Sequence, residues 1–242
     1  MSDNESATTN EQARRVREMF ASIAGRYDLL NHLLSGNIDR RWRNVVATAL
    51  LPTLVNSNAR VLDVACGTGD LSLTLFENGK ARIVGLDFCR PMLNIAALKS
   101  AKAGSALSFI EGDALKLPFA GGSFDATTIA FGLRNLTSTE AGFKELLRIL
   151  KPGGSVAVLE FSRPNTPLLR SFFKLYFTKL LPIVGGWVSG SKSAYQYLPD
   201  SVSRFPDQRK LASLMEEAGF EKVSFQNLTG GIAALHIGVR PV

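Results

Sequence analysis

The chain has 242 residues, 45% of them apolar, and a net charge of +7. This length and composition favour one large α/β domain, and no uninterrupted run of 18 apolar residues predicts a membrane-spanning helix. The polar, acidic start "MSDNESATTNEQ" is unlike a signal peptide, and Cys66 and Cys89 form neither a disulfide framework nor a metal-ligand spacing, so we expect a cytoplasmic protein with reduced thiols and no metal.

The positive charge is unevenly distributed along the chain. Residues 1–12 carry three acids and no base, so the remainder has 28 bases against 18 acids. A basic surface attracts polyanions within a Debye length, about 8–10 Å. Nucleic acid and a membrane surface are therefore both candidate partners.

The first part of the chain predicts helices that precede a sheet. Residues 1–12 are expected to form a disordered tail, and residues 13–242 a single domain. Apolar residues recur at helical spacing from Glu11 to Leu34, with an interruption near Gly25. A second helix is predicted from Ile38 to Leu51, ended by Pro52.

Alternating strand and helix patterns follow from residue 59 to residue 161. The predicted strands are "ARVLDVA", "ARIVGLD", "LSFIEGD", "FDATTIA" and "SVAVLEF". Helical segments between strands favour a parallel sheet with helices on both faces. Residues 163–206 then hold five prolines and a helix-like run, which predicts a helical insertion, and the chain ends with a helix and a hairpin of "KVSFQNL" and "AALHIGV".

The stretch "RVLDVACGTGDLSL" joins the first strand to a helix through a glycine turn. Gly67 and Gly69, on either side of Thr68, allow positive φ and let a ligand approach the backbone. Ser72 stands where a dinucleotide fingerprint has its third glycine, and no Gly-Lys-Ser/Thr of a P-loop follows. With the dinucleotide fingerprint weakened and the P-loop excluded, the glycine turn fits an S-adenosylmethionine site.

Acidic residues near the ends of successive strands support this interpretation. Asp63 lies in the first strand, Asp87 ends the second and could accept both ribose hydroxyls, and Asp113 could accept from the adenine amino group beside the Ala114 backbone. Ala130 ends the fourth strand and completes the predicted cofactor site. Each acid alone could equally be a buried structural acid, a helix cap or a turn former. Their joint placement favours the ligand, because ligands of open α/β sheets bind at the carboxyl ends of the strands.

Longer segments resemble the class I methyltransferases and, within them, the C-methyltransferases of menaquinone and ubiquinone biosynthesis. The segments are "YDLLNHLLSGNIDRRW", "FGLRNL", "RILKPGGSVAVLEFS", "YLPDSVSRFPDQ" and "LTGGIAALHIG". The chain differs from that family where it has Asn37 and Asp39 in place of Gly and His. The resemblance implies a Rossmann-like, seven-stranded, mostly parallel sheet with a C-terminal antiparallel hairpin, N-terminal helices and a helical insertion.

The resemblance also implies a reaction. A demethylated prenyl hydroquinone would lose a phenolic proton, of pKa about 10 as in tyrosine, and its ring carbon would attack the sulfonium methyl in line. Arg134 and Asn135 are the expected catalytic residues, a cation and a neutral donor for the developing phenolate. The proton acceptor stays open among Asp28, Asp39, His236 and a water held by Arg134.

The insertion suggests how a long prenyl tail is accommodated. Residues 161–210 contain nine aromatic residues and eight bases against two acids. We expect an apolar opening in the insertion, bordered by Arg170, Lys174 and Lys179. The bases would contact an anionic membrane surface, and the opening would accept the prenyl tail. The apolar residues expected on one side of this helix are Phe172, Phe173, Tyr176, Phe177, Leu180 and Leu181.

Several alternatives stay open from the sequence. The substrate could be demethylmenaquinol or a ubiquinol precursor. The basic, aromatic insertion is also compatible with an RNA methyltransferase, although its one-sided apolar pattern favours lipid or core packing and so no nucleic acid. A third alternative is a membrane-associated assembly protein that binds the cofactor without turnover. A homodimer is a further expectation.

Overall fold

A computed structural model of the chain describes residues 2–105, 107–175 and 192–242. Its strands are β1 (Arg60–Val64), β2 (Arg82–Asp87), β3 (Ser108–Glu111), β4 (Phe124–Ala130), β5 (Leu150–Phe161), β6 (Glu221–Leu228) and β7 (Ala233–Val239). Its α-helices are α1 (Ser2–Ser35), α2 (Ile38–Ala49), α3 (Leu51–Leu54), α4 (Asp70–Glu77), α5 (Arg90–Lys102), α6 (Thr139–Ile149), α7 (Pro167–Leu175), α8 (Lys192–Arg204) and α9 (Gln208–Glu217). Short 3₁₀ turns span Leu133–Asn135 and Thr229–Gly231.

The seven strands form one sheet in the order β3-β2-β1-β4-β5-β7-β6. Strands β1 to β5 pair in parallel, whereas β7 runs antiparallel to both β5 and β6. The predicted mostly parallel sheet with an antiparallel C-terminal hairpin is confirmed. The strand order reverses between β1 and β4, and an open α/β sheet has its ligand crevice at the carboxyl ends of such a pair.

Helices cover both faces of the sheet and bury its apolar residues. On one face, strand residues pack with α6 and α9; the members include Leu62, Leu86, Phe124, Ile129, Phe143, Leu146 and Met215. On the other face they pack with α2 and α4; the members include Val61, Ile83, Ala126, Trp42, Val46, Leu71 and Leu75. Because both faces are covered, β1 is buried at four of its five positions, which explains its nearly continuous apolar sequence.

The start of the chain differs from the prediction. Helix α1 begins at Ser2 and runs through Gly25 without a break, so the expected tail is helical and the expected interruption is absent. Glu11 pairs with Arg14 and Arg15 one turn later, which supports this helix. A Cβ added at Gly25 would meet nothing within 4 Å, and one exposed glycine costs a helix only about 1 kcal/mol.

Two other boundaries also differ. Helix α2 ends at Ala49, two residues before the predicted end at Leu51. Pro52 does not end a helix but lies in the first turn of α3, where no hydrogen bond needs its missing N–H. In the insertion, α7 covers the start of the predicted helix, and Tyr176, Phe177, Lys179, Leu180 and Leu181 lie outside the described residues. None of the described helices is long and apolar enough to cross a bilayer.

A buried carboxylate joins α1 to α2. Asp39, whose side chain is 7% exposed, accepts hydrogen bonds from the Ser35 hydroxyl at 2.6 Å and from Arg43 Nη2 at 2.7 Å, and its Oδ2 lies 2.9 Å from His32 Nδ1. Burial would raise the pKa of Asp39, but the Ser35 hydroxyl, Arg43 and His32 outweigh it and hold the pKa below its ordinary value.

The same network continues to the glycine turn. Arg43 Nη2 lies 3.3 Å from Asp70 Oδ2 at the start of α4, and Lys99 of α5 pairs with both Asp70 and Asp28. Asp28 in turn accepts from the Thr68 hydroxyl at 2.5 Å. His32, Asp39 and Asp70 bring three ligand-type atoms within 4.8 Å of one another, but Arg43 and Lys99 already neutralise these carboxylates.

Replacing Asp39 with Asn should destabilise the fold in a pH-dependent way. Loss of the carboxylate removes the closer of the two acids that the buried Arg43 contacts and leaves Asp70 as the more distant one, which costs about 2 kcal/mol. Because the folded-state pKa of Asp39 is lowered, its contribution is present above the unfolded pKa and is lost as the pH falls. Urea unfolding should therefore show a large difference between wild type and Asp39→Asn at neutral pH and a small one in acid.

The control is Asp125→Asn, which makes the same change in a partly exposed pair with Lys151 and should cost about 1 kcal/mol or less. Equal losses in the two variants at neutral pH would contradict the structural role of Asp39.

Candidate active site

A cavity of about 550 Å³ lies at the carboxyl ends of β1, β2 and β4. Of the nine residues predicted for the site, six line it: Gly67, Asp87, Asp113, Ala114, Ala130 and Asn135. Thr68, Gly69 and Arg134 do not. The Thr68 hydroxyl points to Asp28, and a Cβ at Gly69 would approach Ala96 Cβ to 3.0 Å, so this glycine allows close packing of α4 against α5. The roles assigned to all nine stay predictions.

The Asp87 carboxylate organises the glycine turn. Its Oδ2 accepts from the Gly67 N–H at 2.8 Å and its Oδ1 from the Cys89 N–H at 2.9 Å. Burial raises the pKa of Asp87 despite these backbone donors. Backbone strain accompanies the turn, because Ala65, at the end of β1, has φ 52° without being glycine.

Asp63 has a structural position. It is 1% exposed and accepts from the Ser72 hydroxyl at 2.6 Å and the Thr128 hydroxyl at 2.9 Å, which ties α4 to β4. Burial raises its pKa to about 6. Asp63 is not among the residues that line the cavity, so its interpretation as a satisfied buried acid fits the geometry.

The adenine end of the predicted site contains a tight turn. Asp113 Oδ1 accepts from the Leu115 N–H at 2.9 Å, and both Asp113 and Ala114 line the cavity. Nearby, Glu111 at the end of β3 pairs with Arg90 at 2.7 Å and with Arg17 of α1.

Helix α1 forms one wall of the cavity, a contribution that sequence reasoning missed. Its lining residues are Ala13, Arg14, Arg17, Phe20 and Tyr27. The segment that begins at Tyr27 and resembles the methyltransferase family was the one sequence feature that could have indicated this contribution of α1. Burial raises the pKa of Tyr27, with the Asn31 side chain opposing the shift, so its hydroxyl is protonated at neutral pH.

Arg134 is buried in an ion pair that the sequence did not reveal. Its Nη1 lies 2.5 Å from Glu160 Oε1 and donates to the Phe131 carbonyl at 2.7 Å. The two side chains are 6% and 1% exposed. Burial raises the pKa of Glu160, although Arg134 and the Phe161 N–H oppose the shift. The Nε–H of Arg134 is buried without a hydrogen-bond partner among the described residues.

Asn135 connects the cavity to the insertion. Its Oδ1 accepts from the Tyr197 hydroxyl of α8 at 3.1 Å, and its Nδ2 lies 3.4 Å from the Phe131 carbonyl. Phe131 has φ 55°, a second strained backbone position beside the cavity. The turn that carries Arg134 and Asn135 is thus held from β5 by Glu160 and from α8 by Tyr197.

The three side chains considered as proton acceptors lie elsewhere. Asp28 and Asp39 belong to the buried network of α1, α2, α4 and α5. His236 is 1% exposed, its Nε2 lies 2.9 Å from the Gln208 carbonyl, and burial lowers its pKa. None of the three lines the cavity, which leaves a water held near Arg134 as the candidate.

Comparisons with known proteins are consistent with this architecture. The sequence model of the ubiE/COQ5 methyltransferase family matches residues 7–240. A demethylmenaquinone methyltransferase of Thermus thermophilus is 48% identical over 224 residues, which cover 92% of this chain and all of the relative. A ubiquinone/menaquinone biosynthesis C-methyltransferase UbiE of Pseudomonas aeruginosa is 42% identical over 236 residues, covering 96% and 91%.

Solved structures support the fold. A SAM-dependent methyltransferase of Thermotoga maritima, described as a possible histamine N-methyltransferase, superposes with a TM-score of 0.64 at 20% identity, over 92% of this chain and 98% of that one. A SAM-dependent methyltransferase of Aquifex aeolicus gives a TM-score of 0.57 at 19% identity, over 77% and 84%. At this identity the likeness concerns the fold alone.

Replacing Asp87 with Ala should weaken S-adenosylmethionine binding. Two hydrogen bonds to a charged acceptor are worth about 1.5–3 kcal/mol, which corresponds to an affinity loss of about 10–100-fold. Calorimetric titration measures it. Asp125→Ala, which removes a carboxylate at the start of β4 away from the cavity, is the control and should bind as wild type. Unchanged affinity in Asp87→Ala would refute the ribose assignment.

Proposed function

This chain belongs to the ubiE/COQ5 methyltransferase family, and from that premise we propose that it transfers a methyl group from S-adenosylmethionine to a ring carbon of a demethylated prenyl hydroquinone. Demethylmenaquinol is the substrate that we favour, because the relatives at 48% and 45% identity are named demethylmenaquinone methyltransferases. The observation that carries the proposal is the family match over residues 7–240.

The cavity supports the cofactor assignment through its charge and its place in the sheet. Three acids line it, and Arg14 and Arg17 line it too, but Glu111 is paired with Arg17 and Arg90. Asp87 and Asp113 are therefore the acids that would face the ligand, and acidic groups suit a sulfonium cation better than a pyrophosphate. Asp87 would accept from the ribose hydroxyls and Asp113 from the adenine amino group, while Gly67 and Ala130 would approach the ligand through their backbones.

The chemistry follows from holding two reactants in one site. The ring carbon of the hydroquinone becomes nucleophilic as its neighbouring oxygen loses a proton, and it then attacks the methyl carbon in line with the C–S bond, which breaks. Asn135 offers an amide donor to that oxygen. Positioning supplies much of the rate in such a reaction.

Arg134 would act through a guanidinium N–H that bonds neither Glu160 nor the Phe131 carbonyl. The Glu160 carboxylate compensates the guanidinium charge, so Arg134 offers a fixed dipole and a hydrogen-bond donor instead of a free cation. That donor would hold either the developing phenolate or the water that accepts its proton. Glu160 and Tyr197 are positioning residues in this scheme, since each contacts the Arg134–Asn135 turn.

A ubiquinol precursor is the second candidate substrate, because relatives at 42% identity are named for both quinones. The decisive experiment gives the enzyme labelled S-adenosylmethionine with reduced demethylmenaquinone or with the reduced ubiquinone precursor. Label in the first product supports our proposal, and label only in the second supports the alternative. Cofactor binding without label in either would indicate an assembly protein, and transfer to RNA would indicate an RNA methyltransferase.

We also propose that the protein works in the cytoplasm, peripherally on the inner face of the membrane, where prenyl quinones reside. Helix α7 supports this proposal. Leu168 and Leu175 are 84% and 59% exposed and lie two turns apart on one side of the helix. The homodimer and the single domain over residues 13–242 stay predictions.

Two variants of the Arg134–Glu160 pair should distinguish the effect of the Arg134 charge on activity from the effect of its hydrogen-bond donor. The double variant Arg134→Met/Glu160→Gln removes both charges, so neither is left unpaired in the interior, and kcat should fall about 10²-fold with the loss of one donor. Glu160→Gln alone leaves Arg134 uncompensated, which favours the phenolate and should move the rising limb of the pH–rate profile to lower pH. Steady-state kinetics across pH measures both effects.

Glu145→Gln is the control, because it makes the same change in a pair with Arg148 on α6, away from the cavity. Affinity for S-adenosylmethionine should remain close to wild type in all variants. A pH–rate profile of Glu160→Gln that coincides with wild type would show that the pair does not tune ionisation.

Polar substitution on α7 should weaken membrane contact. Leu168→Ser/Leu175→Ser removes exposed apolar surface and should lower binding to anionic vesicles by about tenfold or more. Vesicle co-sedimentation measures it. Leu98→Ser is the matched control, because Leu98 is 62% exposed on α5. Equal binding by the double variant and wild type would refute contact through α7.

A further inference from the structure

A second cavity of about 930 Å³ lies between the insertion, the start of α9 and β6. It is separate from the candidate active site and shares no lining residue with it. The residues that matter for its chemistry are Ser162, Arg163, Arg170, Arg209, Val202 and Phe225. They come from the end of β5 and from α7, α8, α9 and β6, so the folded chain brings together groups that are distant in sequence.

The charge of this second cavity is positive. Among the described residues, three arginines line it, and the one acid is Asp207. Asp207 is occupied as the N-cap of α9, where it accepts from the Lys210 N–H at 3.0 Å. Arg170 donates weakly to the Pro164 carbonyl at 3.4 Å. Within the described part of the chain, none of the three guanidinium groups has a carboxylate partner.

A buried hydroxyl marks the same cavity. Ser162 is 7% exposed, and its Oγ has no hydrogen-bond partner among the described residues, although its backbone N–H bonds to the Ile232 carbonyl at 2.9 Å. Buried polar groups in native proteins are nearly always paired, so an unpaired one that lines a cavity points to a missing partner. A hydroxyl can donate to an anionic oxygen.

An apolar side completes the lining. Phe225 is 37% exposed and Val202 is partly buried, and both face the cavity together with Pro164 and Pro199. A phosphate group attached to an apolar chain fits this combination, since arginine forks match phosphate oxygens and the apolar residues match the chain.

We propose that the second cavity binds a phosphate group, held by Arg163, Arg170, Arg209 and the Ser162 hydroxyl, and that the phosphate is part of an anionic lipid. Helix α8 connects this site to the candidate active site, because Tyr197 contacts Asn135 while Val202, little more than one turn later, lines the second cavity. This proposal builds on the proposed membrane contact through α7. The phosphate site is tested without membranes, so either proposal can be refuted while the other stands.

The test is calorimetric titration of the full chain with inorganic phosphate, with short-chain phosphatidylglycerol below its micellar concentration and with octyl glucoside. Both phosphate probes should saturate, and octyl glucoside should not. Arg163→Gln/Arg209→Gln should weaken phosphate binding by about tenfold or more, and Ser162→Ala should weaken it measurably. Arg82→Gln, which removes an exposed arginine at the start of β2, is the control and should bind as wild type.

Thermal unfolding of each variant checks that the fold is intact. Tighter binding of phosphatidylglycerol than of inorganic phosphate supports the lipid source, and equal binding supports the phosphate site with a free anion as its ligand. The proposal is overturned if neither phosphate probe saturates, or if the arginine variant binds as tightly as the control.

Discussion

The hydrogen bond from the Gly67 N–H to the Asp87 carboxylate is the contact on which the candidate active site depends. It joins the ends of β1 and β2, so the glycine turn is fixed against its neighbouring strand. The other carboxylate oxygen takes the Cys89 N–H, which sets the orientation of Asp87 before any ligand arrives. A site built this way loses little freedom when a ligand binds.

Buried ion pairs hold the two opposite walls of this cavity. Asp39, Arg43 and Asp70 lock α1 and α2 against the start of α4, and α1 then supplies Tyr27 to the lining. On the other side the Arg134–Glu160 pair fixes the turn that carries Asn135. Buried pairs are weak sources of stability, but breaking one is expensive, so they specify a geometry. The family membership and the methyl-transfer proposal fit a rigid site of this kind.

Local pattern and chain order predicted the sheet, the glycine turn and the acids at the strand ends, because parallel strands bring their carboxyl ends to one edge. The same reasoning could not find Glu160 beside Arg134, since the two are separated by 26 residues and meet only through packing of β5 against the 3₁₀ turn. It also missed the α1 wall. It predicted a break near Gly25 because glycine disfavours a helix, but α1 runs through this exposed position.

A crystal structure with bound S-adenosylhomocysteine would test the central claim most directly. We expect the ribose hydroxyls within hydrogen-bond distance of the Asp87 carboxylate, the adenine beside Asp113 and Ala114, and the sulfur directed toward Asn135, with space beyond it for a hydroquinone ring. A ligand that lies outside this cavity, or one whose sulfur points away from Asn135, would contradict the proposed arrangement of cofactor and substrate.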